Sequence, residues 1–285
     1  MDIRYHAFIL STIVMILSIG TIFRNGIHMG LEFTGGIQME VSFQEALSLG
    51  EIRGTLAEVA QNLSIQSLGG SKNILLRLPG NNNKALQQEI EKKLLTKYTG
   101  ATITQVKIIG PQVGHDLLLN GLNAVLFALL LTMVYIAIRF EYRFAIAAIV
   151  ALMHDPIITM GVFSLCRIEF DLISMAGILT VLCYSLNDTI VVYDRIREDF
   201  KRFPNRSIET IVNIAINETL SRTIITSVLT LLAVLSLLFF GGESLFGFSI
   251  AMTIGILVGT YSSIYIAGAL AVVLGLKNQK QSQYE

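Results

Sequence analysis

Apolar and polar positions alternate between two regimes along this chain. Read for uncharged runs near the roughly 17 to 25 residues that cross a hydrocarbon layer of about 30 Å, the chain has six, at 7–23, 117–138, 144–165, 172–193, 219–240 and 245–276. Between the first and second the period changes. Positions 36–43 (GIQMEVSF) alternate as in a strand, and 49–62 carries Ile52, Leu56, Val59 and Ala60 at helical spacing. Short strands are expected at 64–68 and 73–78 around a Gly69-Gly70 turn, a second amphipathic helix at 83–98 and a last strand at 101–109. The order βαββαβ predicts a ferredoxin-like α+β sandwich of about ninety residues, enough for a modest core. The expected molecule is therefore an α-helical polytopic membrane protein of six transmembrane helices, with this small domain inserted between the first and second. Its segments are 1–23 (N-terminus and first helix), 24–114 (exported domain), 115–276 (five-helix membrane domain) and 277–285 (tail).

Composition agrees with that class. Of 285 residues, 53% are hydrophobic and 15% charged, with a mean hydropathy of +0.63, a membrane protein's profile. The formal net charge of zero gives no basic excess for nucleic acid. Cys166 and Cys183 both lie in apolar runs, with neither disulfide nor metal-ligand spacing, so neither metal nor cofactor is expected. Arg4 precedes the first apolar run and no small-x-small cleavage site follows, which reads as an uncleaved signal anchor.

Lysine and arginine in the short loops set the orientation. One set of ends carries Arg4, Arg139, Arg143, Arg195, Arg197, Lys201, Arg202, Arg206, Lys277 and Lys280; the opposite short loops offer only Arg167. The rule that positive loops stay inside places both termini in the cytoplasm and exports the inserted domain. Between the fourth and fifth runs, 195–216 is charged and then amphipathic, predicting a loop and an interfacial helix.

Candidate chemistry lies within the spans. The fourth holds Asn187-Asp188 where lipid would favour Leu or Val, and a carboxylate there costs roughly 2.5 to 3.5 kcal/mol on insertion scales. Asp188 must face protein or water, as a functional acid or as a helix-packing group. Gly177, Val181, Tyr184 and Asp188 share a stripe flanked by Ser185; in the fifth span Arg222, Thr226 and Thr230 line up at i, i+4, i+8. Two such stripes facing each other would make a hydrated seam in which Arg222 pairs with Asp188, although Arg222 is also shallow enough to snorkel to the headgroups. The third span carries His154-Asp155-Pro156 near its middle, where the proline predicts a kink. The sixth spaces Ala251, Gly255, Gly259, Ser263 and Ala267 by four, a surface for close helix approach. The inserted domain shows no catalytic set; its sheet edge is either structural or a site for strand addition.

Several stretches resemble one known family. Leu31 to Gly36 (LEFTGG) is similar to a DFTGG motif after the first span, Ala151 to Thr159 (ALMHDPIIT) to ALLHDxxIT, and Ser185 to Glu198 (SLNDTIVVYDRIRE) to SLNDTIVVFDRIRE. Leu220 to Ser227 (LSRTIITS) and Gly255 to Ala267 (GILVGTYSSIYIA) match as well. In order and placement they resemble the SecF family, the smaller half of the SecD-SecF accessory of the bacterial Sec translocon, in the resistance-nodulation-division superfamily. Glu32 stands where the family has Asp, and Pro156 where it has Val or similar.

The resemblance implies a proton pathway through Asp188, Arg222 and Asp155, a supporting polar seam of Asn187, Tyr184, Ser185 and Thr226, and a structural motif at Glu32, Phe33, Thr34, Gly35 and Gly36. It also implies SecD as obligate partner, the SecYEG translocon and YajC as wider assembly, and unfolded preprotein as substrate. The location would be the bacterial inner membrane, and the work proton-driven late export without enzymatic catalysis. Three rival readings are an intramembrane aspartyl protease using Asp155 and Asp188, a drug or lipid exporter half, and a non-energised scaffold for SecD. The first lacks any GxGD sequence.

Overall fold

The structure, a computed structural model, describes residues 4–57, 59, 63–67, 72–79, 84–140 and 142–274. The Gly69-Gly70 turn and the tail after 274 lie outside them. Among the described residues six helices are long and apolar enough to cross a membrane.

The first, α1 (Arg4–Asn25), leads through a short helical turn, α2 (Leu31–Thr34), into the inserted unit. There β1 (Gly36–Ser42), α3 (Leu49–Leu56), β2 (Ser64–Ser67), β3 (Asn73–Pro79), α4 (Lys84–Lys97) and β4 (Thr102–Ile109) follow in the expected order. The sheet runs β2-β3-β1-β4 with every neighbouring pair antiparallel. The apolar spacing closes one core on it: Ile52 and Leu56 from α3 and Ile90 and Leu94 from α4 lie with Met39, Val41 and Leu76, nearly all fully buried. Each such side chain contributes about 1.5–3 kcal/mol.

The remaining spans are α5 (Pro111–Arg139), α6 (Tyr142–Cys166), α7 (Leu172–Arg202), α8 (Ile208–Phe240) and α9 (Glu243–Tyr261). The last continues through a π-helical turn (Ser262–Ala267) into α10 (Gly268–Val273). Pro111 is the first residue of α5, where its missing N–H would lack a partner anyway, so that helix starts before the predicted boundary. The helix α6 runs through Pro156 without interruption.

One expectation is corrected. The charged stretch after the fourth span is not a loop, because α7 continues to Arg202, and no separate interfacial helix precedes the fifth, because α8 begins at Ile208. Arg195 pairs with Glu198 at 2.6 Å and with Asp199 at 3.7 Å, one turn on, and such pairs hold an exposed helical turn. Ser207 caps α8, accepting the Thr210 N–H.

The predicted small-residue stripe sets the packing of α9. Ala251 lies against Gly177, Gly255 against the Val181 side chain, and Gly259 where any Cβ would meet Ser185 and Asp155. Helices α7 and α9 therefore approach at backbone distance, α6 closes over both, and the outer faces of α5 and α8 stay uncovered, with Leu126, Phe127, Ile225, Leu229 and Leu232 exposed.

Candidate functional site

Where α6, α7, α8 and the sixth span meet, a polar seam runs through the apolar bundle. Asp155 on α6 is fully buried, and its Oδ2 accepts the Ser185 hydroxyl from α7 at 2.6 Å and the Ser262 hydroxyl from the π-turn at 3.1 Å. Its Oδ1 lies 3.0 Å from Nδ1 of His154, itself buried. Further hydroxyls cross the seam: Thr189 with Ser263 at 3.2 Å, Tyr184 donating to Ser227 at 3.2 Å, and Ser227 with Thr260 at 2.7 Å.

Asp188 is in a different condition. It is 5% exposed, and its Oδ2 is buried with no hydrogen-bond partner. Arg222 is the charge whose field reaches it, yet the two form no ion pair among the described residues; Arg222 is exposed and lines a cavity of about 640 Å³ with Arg139, Asp194, Arg195, Glu198 and Glu218. Thr226 donates back to the Arg222 and Thr223 carbonyls, and Asn187 faces outward. Of the sequence candidates, then, Asp155 and Ser185 are brought together, Tyr184 is held in a separate hydroxyl chain with Ser227 and Thr260, and Asp188 and Arg222 are neighbours without touching.

At the same end as this cavity, Arg4 pairs with Glu209 at 2.6 Å, Arg139 with Asp194 at 3.1 Å, and Arg195 with Glu218. These contacts gather the arginine-bearing ends of α1, α5, α7 and α8.

The FTGG motif forms the joint at the opposite end. Phe33 stacks on Phe170 with ring centroids 5.9 Å apart, and the backbone between α1 and α2 pairs with the α6–α7 loop through Gly30 N–H to the Phe170 carbonyl at 2.8 Å and Phe170 N–H to His28 at 2.7 Å. Gly35, at φ 72°, is pressed against Gly110 and Pro111; Gly36, at φ 143°, turns the chain into β1 beside the Leu78 carbonyl. Both conformations favour glycine. The inserted unit reaches the membrane helices through an ion pair of Arg77 on β3 with Glu169. Burial, with Glu32 and Asp171 adding negative charge, pushes the Glu169 carboxyl above the usual glutamate range although Arg77 opposes it.

Comparison with known proteins decides the family. The model described as "Protein export membrane protein SecD/SecF, C-terminal" matches residues 89–277, and "SecD/SecF GG Motif" matches 20–46, the segment that forms the joint. The chain belongs to the SecD/SecF family. Its relatives include "Protein translocase subunit SecF" of Pseudomonas aeruginosa, 41% identical across 98% of this chain and 92% of that one. The same-named subunit of Escherichia coli O157:H7 is 39% identical across 98% and 88%. Among solved structures, SecDF of Thermus thermophilus, described as a translocon-associated membrane protein, superposes with a TM-score of 0.85 at 35% identity and 95% coverage of this chain. The chain spans 38% of the length of that SecDF polypeptide.

Sequence reasoning missed the sixth span's share in this seam. The spacing by four picks out Ser263 alone as part of a packing face and gives no role to Thr260 or Ser262, nor to His154 beside Asp155. The clustered TYSS hydroxyls inside an apolar run were the available signal.

Proposed function

We propose that the chain is a SecF-type accessory subunit of the Sec preprotein translocase, acting with SecD in late export across the bacterial inner membrane and driven by the proton-motive force. The observation that carries the reading is Asp188: a buried carboxylate with one oxygen unpartnered, beside a seam of hydroxyls and near the cavity that Arg222 lines. An ionisable group so placed in a span is costly to keep and suits proton uptake and release. Each proton crossing about 100 mV supplies roughly 2.3 kcal/mol, and each pH unit about 1.4, enough to shift a two-state equilibrium by one to two orders of magnitude.

The uncovered apolar faces of α5 and α8 and the fused SecDF relatives support SecD as the second half. In this reading the arginine-bearing end is cytoplasmic, with both termini, and the βαββαβ unit is a ferredoxin-like domain on the outer side that moves with emerging preprotein. SecYEG and YajC complete the assembly. Asp188 and Arg222 form the inner part of the proton route and Asp155 stands in its outer part, while Tyr184, Ser185 and Thr226 line it.

The test is Asp188→Asn in the full chain co-expressed with its SecD partner. The complex should be recovered intact while gradient-dependent export falls at least about tenfold, the equivalent of about 1.4 kcal/mol. Export at the parental rate would reject the proton role and leave the scaffold reading.

A further inference from the structure

The deepest titratable pair in the bundle is not Asp188 with Arg222 but His154 with Asp155. Their side chains are 3% and 0% exposed and meet at 3.0 Å. Ser185 and Ser262 occupy the other oxygen of Asp155, which fixes the carboxylate between α7 and the π-turn and leaves Oδ1 to orient the imidazole. In the tautomer that donates Nδ1–H to Asp155, Nε2 is a bare lone pair, and it is buried without any partner. A buried imidazole nitrogen left unpaired is costly unless it is used, and a histidine held by a carboxylate is the side chain best suited to proton exchange near neutral pH.

Depth gives the pair its place. Asp155 lies eleven residues before Cys166 at the end of α6, about 17 Å from that end at 1.5 Å per residue; Asp188 lies sixteen residues after Leu172 at the adjoining end of α7, about 24 Å. His154 and Asp155 thus stand outward of Asp188, and Ser185, bonded to Asp155, sits one helical turn from Asp188 on the same face. Apart from Asp188 and Asp199 on α7, the buried polar side chains on the elements packed against α6 are hydroxyls among the described residues, Ser11 and Ser18 on α1, Thr189 on α7 and Ser263 on the sixth helix included; Tyr261 donates its hydroxyl to the Ala7 carbonyl at 2.9 Å.

We propose that His154 is a second proton-carrying residue, the outer station of a two-station route whose inner station is Asp188, with Asp155 as the positioning residue that fixes its tautomer. Uptake places a proton on Nε2, turning a neutral imidazole beside a carboxylate into an imidazolium–carboxylate pair. Release returns the lone pair and hands the proton inward towards the vacant oxygen of Asp188. Because Asp155 also holds Ser185 and Ser262, the charge change at His154 is felt where α6, α7 and the π-turn join.

This inference rests on the proton-driven reading, and the test separates the two. In the full chain with its SecD partner, His6, His28 and His115 are replaced by Gln and the remaining imidazole is followed by ¹⁵N NMR between pH 5 and 9. His154 should titrate, with a midpoint that moves in Asp155→Asn; a spectrum unchanged over that range overturns the proposal. In parallel, His154→Gln, which can still hydrogen-bond to Asp155, should reduce gradient-dependent export at least tenfold and alter its pH profile. If that variant exports with the parental profile while Asp188→Asn does not, the outer station is rejected and the proton-driven reading stands. If both variants export normally, the proton-driven reading itself fails.

Discussion

Asp155 is met by three side-chain donors, His154, Ser185 and Ser262, whereas Asp188, buried on the neighbouring helix, keeps one oxygen empty and an arginine at a distance. Sequence alone makes these two acids look equivalent: each sits in an apolar run beside a polar neighbour. Their surroundings divide the labour. A carboxylate whose oxygens are all engaged ties helices together, and its loss exposes every group it satisfied; one left unengaged contributes little to the fold and is free to change charge.

The contrast is broken most severely at Asp155. Asp155→Ala strands His154, Ser185 and Ser262 in the bundle and should destabilise the protein by about 3 kcal/mol, read as lower thermal stability of the purified SecD complex. Asp188→Asn should move that stability by less than about 1 kcal/mol while abolishing driven export. Equal stability losses from the two would erase the distinction. A stability loss between those two is expected from Gly259→Val: a Cβ there already meets Ser185 at 3.2 Å and Asp155 at 3.4 Å, so the added methyls overpack the α7–α9 contact at a cost of about 2 kcal/mol. That variant sharpens the comparison, because it disturbs the Asp155 cluster without removing a polar group.

The smallest effect lies outside the membrane, at Glu169. Its folded-state pKa is raised, by burial first, so the docked joint binds a proton more readily than the undocked chain does. The joint is then firmest below the ordinary glutamate range and loses that contribution as pH rises through the raised value. The ion pair with Arg77 does not reverse the sign. Glu169→Gln should remove this pH dependence without loosening the joint at neutral pH, measurable by hydrogen exchange of the Gly30 and Phe170 amides. A joint that loosens on acidification would contradict it.

Much of the architecture was legible because it rests on periodicity. The six apolar runs, the βαββαβ order and the stripe from Ala251 to Ala267 follow from spacings of 3.6 and 2.0 residues that packing then uses directly. What escaped was non-local. Ser262 meets Asp155 across 107 positions, and it does so from a π-helical turn that depends on the helices around it. The continuation of α7 to Arg202 escaped because a charged stretch reads as loop until its partners, Glu218 among them, are seen on α8. Pairing of Asp188 with Arg222 was inferred from shared depth, and depth does not fix the direction in which an arginine points.

Gly35 lies against Gly110 and Pro111, so the polypeptide enters and leaves the inserted unit at a single neck. The ion pair of Arg77 with Glu169 ties the same unit down a second time, beside that neck. Were α1 to tilt against α5, the displacement would be largest at the far rim of the sheet, as a wrist turns the blade of an oar.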